Sequence, residues 1–232
     1  MFSKFLDFLY PQKCIFCGSL LNNYISINLG QNDTQNVEFT CKNCKLKLQY
    51  YKRDYEKYLV KNKYFDMLIY SFKYTGKIRD FLLDFKFKDK QFFSCFFSHY
   101  LANDIKKYLK ETNTKIDYII AVPISFRRYL ERGYNQSWII ADQISKNLNI
   151  CCFKFSLIKI KHNKRQSELE HKFRAKNASN AYIVKRTNQL NNKTILLIDD
   201  IYTTGATVNE CSKVLIKAGA KRIIVATCAR AF

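Results

Sequence analysis

Residues 194–207 read Thr-Ile-Leu-Leu-Ile-Asp-Asp-Ile-Tyr-Thr-Thr-Gly-Ala-Thr. Thr194–Ile198 is continuously apolar, the pattern of a strand buried on both faces of a parallel sheet. Such strands end at a carboxyl edge, where α/β folds place ligands. Asp199 and Asp200 stand at that edge, and their acceptor oxygens suit the two vicinal hydroxyls of a ribose. The loop Thr203-Thr204-Gly205-Ala206-Thr207 then opens a helix. Its backbone N–H groups, threonine hydroxyls and positive helix end make a phosphate cradle. Gly205 lets the backbone turn and approach the anion. A diol reader beside a monophosphate cradle is a ribose-5-phosphate site. The alternative is an ordinary strand–turn–helix capped at Thr207. It leaves two adjacent acids at the end of a buried strand as an unexplained cost. A Walker-type loop is excluded, because the Gly-Lys-Ser/Thr ending is missing.

Around this stretch the pattern alternates. Ile116–Val122 reads as a strand stopped by Pro123, and Gly133–Leu148 as a helix with an apolar stripe. Phe153–Ile160 and Ala181–Val184 read as strands, Val208–Lys217 as a helix closed by Gly219, and Arg222–Cys228 as a last apolar strand. This β-α-β order predicts an α/β fold with a mainly parallel sheet flanked by helices. Three zones emerge: 1–48 with paired cysteines, 49–113 rich in aromatics and lysines, and 114–232 with the α/β pattern. The middle zone reads as mostly helical, with helical apolar spacing from Phe92 to Leu109.

The acidic strand and its loop resemble the PRPP-binding signature of the type I phosphoribosyltransferases. In that fold a pyrophosphate-binding loop follows the first core strand. The matching stretch is Val122-Pro123-Ile124-Ser125-Phe126-Arg127-Arg128, leading into Glu131-Arg132-Gly133-Tyr134-Asn135-Gln136. Ser125, Arg127 and Arg128 can donate to a diphosphate, the arginines bidentately. Between strands, Lys159 to Lys176 is basic and free of Gly and Pro, with Lys161 and Arg165 among its cations. It is either a solvated helix face or a flap that covers PRPP and excludes water.

The whole order resembles the ComF family (competence protein F, the ComFC type). It runs from paired cysteines through Arg132-Gly133-Tyr134-Asn135-Gln136, then Gln166-x-x-Leu169, Arg174-x-x-Asn177 and Ala181-Tyr182, to the 194–207 stretch. The family has Thr where this chain has Asn163. The resemblance implies a small N-terminal zinc-ribbon module joined to a type I phosphoribosyltransferase fold, and a role in natural transformation with single-stranded DNA in the cytoplasm. The aromatic-basic zone 49–113 is read as a connecting or hood region partly outside the resemblance. Mg²⁺ is expected with PRPP in the transferase reading, and a helicase-like competence protein as partner in the binding reading.

Cys14-x2-Cys17 and Cys41-x2-Cys44 are spaced as two knuckles that can place four thiolates about one Zn²⁺. Gly18 permits the tight turn of the first knuckle, whereas Lys45 gives no such help to the second. Four cysteine ligands leave no open coordination position, so the zinc is expected to be structural. The other five cysteines are scattered through apolar segments, like small hydrophobes.

The chain has 232 residues, with 40 Lys+Arg against 19 Asp+Glu and a net charge of +21. A collagen-like or linker-like chain is excluded by 6 Gly and 2 Pro, and disorder by 47% hydrophobic residues. No apolar run is long enough to span a membrane, and no signal peptide is read, which predicts a cytoplasmic location. The charge points to a polyanion or to a solvated basic surface. Between Tyr50 and Tyr100 lie 17 aromatics interleaved with lysines, as in Phe85-Lys86-Phe87-Lys88. These rings are either core or, in part, a stacking surface for single strands. Two functions follow. The first is PRPP binding joined to single-stranded DNA handling. The second is an active phosphoribosyltransferase of base or nucleotide salvage, with Asp199 and Asp200 supporting the cationic anomeric carbon and no DNA role.

Overall fold

A computed structural model of the chain describes residues 12–21, 39–51, 58–59, 63–160, 181–185 and 187–232. The chain forms two compact units, Met1–Asp54 and Tyr55–Phe232. In the first, the chain around Cys14 folds back so that Lys13 bridges Leu20, and helix α1 spans Lys42–Tyr51.

The second unit is built on strands β1 (Tyr58–Leu59), β2 (Met67–Lys73), β3 (Tyr118–Ala121), β6 (Thr194–Tyr202) and β7 (Arg222–Arg230). They form a sheet in the order β1-β2-β7-β6-β3. The pairs β2–β7, β7–β6 and β6–β3 are parallel, and β1 is antiparallel to β2. Strands β4 (Leu157–Lys159) and β5 (Tyr182–Val184) pair separately as an antiparallel ribbon.

Both faces of the sheet are covered. Helices α2 (Gly76–Phe87), α3 (Phe93–Thr112) and α5 (Gln136–Leu148) follow β2 and β3, and α6 (Ala206–Lys217) joins β6 to β7. Helix α3 packs on β2, β7 and α5, while α5 packs on β3 and β6. Val208, Cys211 and Leu215 of α6 share a core with Ile195, Leu197, Ile223, Val225 and the ribbon residues Leu157 and Tyr182. The alternate residues Leu196, Ile198, Ile224 and Ala226 are fully buried on the opposite side, as strand geometry requires. This is the α/β arrangement that the alternating pattern predicts.

Three local readings differ from expectation. The first concerns β2, which lies in the zone read as mostly helical. Its sequence MLIYSFK is buried at every position but the last, so it lacks the period-2 alternation that marks a half-exposed strand. Residues 67–112, expected in a connecting region, thus supply a strand of the main sheet and a helix of its cover.

The second is the helix read from Gly133, which starts at Gln136. Gly133 instead closes a short helix α4 (Phe126–Arg132) at φ +77, its N–H bonded to the Tyr129 carbonyl at 2.8 Å. Asn135 caps α5 by accepting from the Ser137 N–H at 3.1 Å, while its amide donates to the Val122 carbonyl at 3.0 Å. One side chain thereby ties the start of α5 to the end of β3. Third, the strand read across Phe153–Ile160 is confined to Leu157–Lys159, because Phe155 adopts φ +60.

Candidate functional site

Strand β3 is the shorter neighbour of β6. Its last paired residue, Ala121, lies opposite Ile198. Asp199 and Asp200 therefore emerge where β6 runs on without β3 beside it, at the carboxyl edge of the sheet. The two carboxylates have different partners. Asp199 Oδ1 accepts from Ser137 Oγ at 3.0 Å and from the Asp200 N–H at 2.9 Å. Asp200 Oδ2 accepts from Lys86 Nζ at 2.9 Å. Burial, reinforced by the Asp200 charge, pushes the Asp199 carboxyl up to about 7, against the pull of Lys86 and of its hydrogen bonds.

The loop after β6 turns at Gly205, φ +75, which stands just ahead of α6. The Thr204 hydroxyl accepts from the Ala206 N–H at 3.3 Å. Thr203 is exposed, and Thr204, Ala206 and Thr207 are half-buried. Tyr202 packs its ring beneath the loop, so a Cβ on Gly205 would lie 2.7 Å from the ring carbon Cζ. Arg230 of β7 lies over the same Tyr202 ring at 5.9 Å. The loop needs glycine for both its dihedral angle and its closeness to Tyr202.

Ser125 is buried at the start of α4. From that helix Arg128 lines a cavity of about 370 Å³ together with Lys86, Phe87, Lys88, Asp89, Glu131, Arg132 and Tyr134. Arg127 points into solvent and pairs with Glu131 at 2.9 Å. Arg132 stacks its guanidinium 4.9 Å above Phe87. Burial lowers its pKa, and the Asp200 charge opposes that shift. The Tyr134 hydroxyl donates to the Phe85 carbonyl, which ties the chain after α4 to the last turn of α2 at the cavity. Lys159 reaches this edge too, its ammonium 5.3 Å from the Tyr182 ring. Burial lowers its pKa, Arg128 adding repulsion and Asp199 opposing. Lys161 and Arg165, expected in the flap, lie outside the described residues.

The structure thus brings Asp199, Asp200, the 203–207 loop and Arg128 to one edge of the sheet. It adds Ser137, which the sequence reading did not single out, Lys86, which that reading had only among the aromatic-basic lysines, and Arg132 and Tyr134 of the Arg132-Gly133-Tyr134-Asn135-Gln136 motif. Lys86 carried no local signal, because its partner is 114 positions away. Of the rings in the middle zone, Phe65, Tyr70, Phe72, Phe81, Phe85, Phe93, Phe96 and Phe97 are core, while Tyr64, Phe87 and Phe92 are exposed.

In the first unit, the sulfurs of Cys14, Cys17, Cys41 and Cys44 all lie within 4.8 Å of one another. Cys17 and Cys41 Sγ are 3.7 Å apart. A tetrahedral Zn–S₄ centre with bonds of about 2.3 Å has edges of roughly 3.8 Å, so the four thiols fit a zinc ion. Gly18 makes the first knuckle at φ +76, its N–H donating to the Cys14 carbonyl at 2.8 Å. The second pair needs no glycine, since the chain after Cys41 continues directly into α1. Hydrogen bonds from Ser19 lower the exposed Cys17 thiol to about 6, and burial pushes Cys44 up to about 12.

The phosphoribosyl transferase domain family matches residues 135–231. Competence protein F of Haemophilus influenzae is 30% identical over 193 residues, covering 82% of this chain and 84% of the relative. Competence protein ComFC of Streptococcus pneumoniae is 31% identical over 152 residues, 66% of this chain and 63% of its own length. DNA utilization protein YhgH of Salmonella typhimurium is 24% identical over 153 residues, 66% of each chain. Among solved structures, adenine phosphoribosyltransferase from Saccharomyces cerevisiae aligns at TM-score 0.36 and 15% identity, covering 58% of this chain and 76% of that one. With a four-cysteine module ahead of a phosphoribosyltransferase-type sheet, and with this likeness running through most of both chains, the protein belongs to the competence protein F family.

Proposed function

We propose that this chain is a PRPP-binding protein of DNA uptake, handling single-stranded DNA in the cytoplasm. The observation that carries the PRPP reading is the acidic pair on β6 standing beside both the 203–207 loop and a cation-rich cavity. Asp199 and Asp200 accept from the ribose hydroxyls, and Thr203, Thr204, Gly205, Ala206 and Thr207 hold the 5-phosphate. Ser125, Arg128 and the flap residues Lys161 and Arg165 serve the diphosphate, with Lys86 and Arg132 as further cations, whereas the sequence candidate Arg127, turned to solvent and paired with Glu131, is left out of this set. Mg²⁺ accompanying PRPP would neutralise charge on the diphosphate beside these cations. The catalytic candidates remain Asp199 and Asp200, which favour positive charge developing on the ribose.

Names of relatives, competence protein F and DNA utilization protein, support the nucleic-acid role, and the net charge of +21 is consistent with it. The partner is then a single strand together with a helicase-like competence protein. The four cysteines hold a structural zinc ion. A second reading, transfer of the phosphoribosyl group to a small acceptor without a DNA role, is favoured by the cavity, whose 370 Å³ falls in the range of small-molecule sites.

Thermal melting with and without Mg-PRPP tests the first reading. A rise in the wild type that disappears in Asp200→Asn is expected. No rise in the wild type would rule it out. Release of pyrophosphate with a panel of bases distinguishes the second.

A further inference from the structure

The described surface carries a row of aromatic side chains that the core does not use. On α4, Phe126, Tyr129 and Leu130 recur at a helical spacing of three and four, and are 75%, 39% and 67% exposed. The Tyr129 ring lies 6.4 Å from Trp138 on α5. Trp138 in turn meets Phe155 edge to face, with centroids 4.7 Å apart and planes at 87°. Phe155 is 62% exposed and sits at φ +60. Bulky residues seldom adopt that backbone region. Holding a mostly exposed ring there carries a backbone cost, and such costs gather at functional positions.

The surroundings are cationic. Arg127 and Arg128 stand on α4, and Lys146 and Lys154 flank the patch through Asp142, each 2.9 Å or less from a carboxylate oxygen. The acids of this face, Glu131 and Asp142, are thus outnumbered, within a chain whose net charge is +21. A patch that is mostly aromatic and ringed by cations complements a ligand with flat apolar faces and a negative backbone. An unpaired nucleic-acid strand has both, whereas a duplex hides its base faces.

We propose that this α4–α5 face is the platform on which the chain holds single-stranded nucleic acid. Bases stack on Phe126, Tyr129, Trp138 and Phe155, and Arg127 and Lys154 meet the phosphates. The proposal rests on the single-strand reading above and gives it a place. That place differs from the middle-zone rings, eight of which are core.

Trp138 is the sole tryptophan of the chain, so its emission reports on this face directly. The probe is a labelled oligo(dT), titrated at low salt with anisotropy and Trp138 emission read together. Quenching of Trp138 in step with binding is expected. Phe126→Ala/Phe155→Ala should weaken affinity about tenfold or more, in line with stacking on two rings, with an unchanged melting temperature. Phe126→Ala alone, at the most exposed position, should weaken it severalfold, which keeps the test open if the double variant folds poorly.

Binding that leaves Trp138 emission unmoved and tolerates both variants would overturn the location and leave the single-strand reading standing. No binding by the wild type would overturn both. Equal affinity for duplex of the same sequence would overturn stacking. A wild-type dimer that the double variant dissolves, seen by sedimentation, would make the patch a self-association face instead.

Discussion

Lys86 on α2 and Asp200 on β6 form an ion pair of 2.9 Å across 114 positions of sequence, with side chains only 24% and 12% exposed. The contact fixes the last turn of α2 against the acidic edge of the sheet, and it places a cation where a diphosphate would approach the ribose. Lys86→Ala leaves the buried Asp200 carboxylate without its partner. The expected cost is about 1–3 kcal/mol of stability by urea denaturation, together with weaker Mg-PRPP binding. Lys86→Arg should recover most of the stability. Equal stability of Lys86→Ala and wild type would remove the pair from the account.

The acidic pair also sets a pH dependence. Burial and the Asp200 charge raise Asp199 from its ordinary 3.8 to about 7. The folded chain then holds a proton that the unfolded chain has released between those values. Its contribution to stability is present below about pH 4 and is lost as pH rises through 7. Ligand binding should run the other way, because an ionised carboxylate accepts best from ribose hydroxyls. Affinity for Mg-PRPP is expected to rise about tenfold between pH 6 and 8, following the ionised fraction. Asp199→Asn should flatten both profiles. Calorimetry at three pH values checks this, and a flat wild-type profile would contradict it.

Gly205→Ala tests the phosphate loop. The new Cβ would meet the Tyr202 ring at 2.7 Å while the backbone stays at φ +75. The combined strain should cost about 1–3 kcal/mol and abolish the Mg-PRPP melting shift. Adding Tyr202→Ala removes the clash but not the dihedral cost, so partial recovery of stability is expected. A Gly205→Ala protein with normal melting and a normal shift would show that the loop tolerates a side chain.

The four thiols should carry about one zinc ion per chain, as measured by elemental analysis. Cys14→Ser or Cys41→Ser should lose it, with loosened structure in residues 12–51, since metal affinity is folding energy for so small a unit. The Mg-PRPP shift should survive in these variants, because the β6 edge and its loop belong to the second unit. Wild-type protein free of metal and fully stable would end the zinc assignment.

The sequence is legible where chemistry is local. Thr194 to Thr207 carries strand, acids and loop in one run, and its α/β setting follows from alternation alone. The two Cys-x2-Cys pairs likewise announce their meeting. Reading fails where burial erases periodicity, as in β2, whose residues face the interior on both sides. It also fails where the partner is remote, as with Lys86, or where a residue has two local meanings. Gly133 looked like part of a helix and is the stop of another. The aromatic wealth of 50–100 could not be divided into core and surface until α3 was seen to bury Phe93, Phe96 and Phe97.

Strand β7 lies between β2 and β6, so that Met67 pairs with Ile224 and Thr194 with Arg222. During synthesis β2 therefore emerges from the ribosome long before its parallel neighbour exists. The apolar face of α3 must wait for residues 222–230, and that of α5 for residues 194–202, before the sheet beneath them can close. Long-range parallel pairing of this kind folds slowly and leaves hydrophobic edges uncovered in the interval. The nascent chain is accordingly a natural client for chaperones. Stop codons or frameshifts ahead of residue 222 should yield aggregates rather than a shortened working protein.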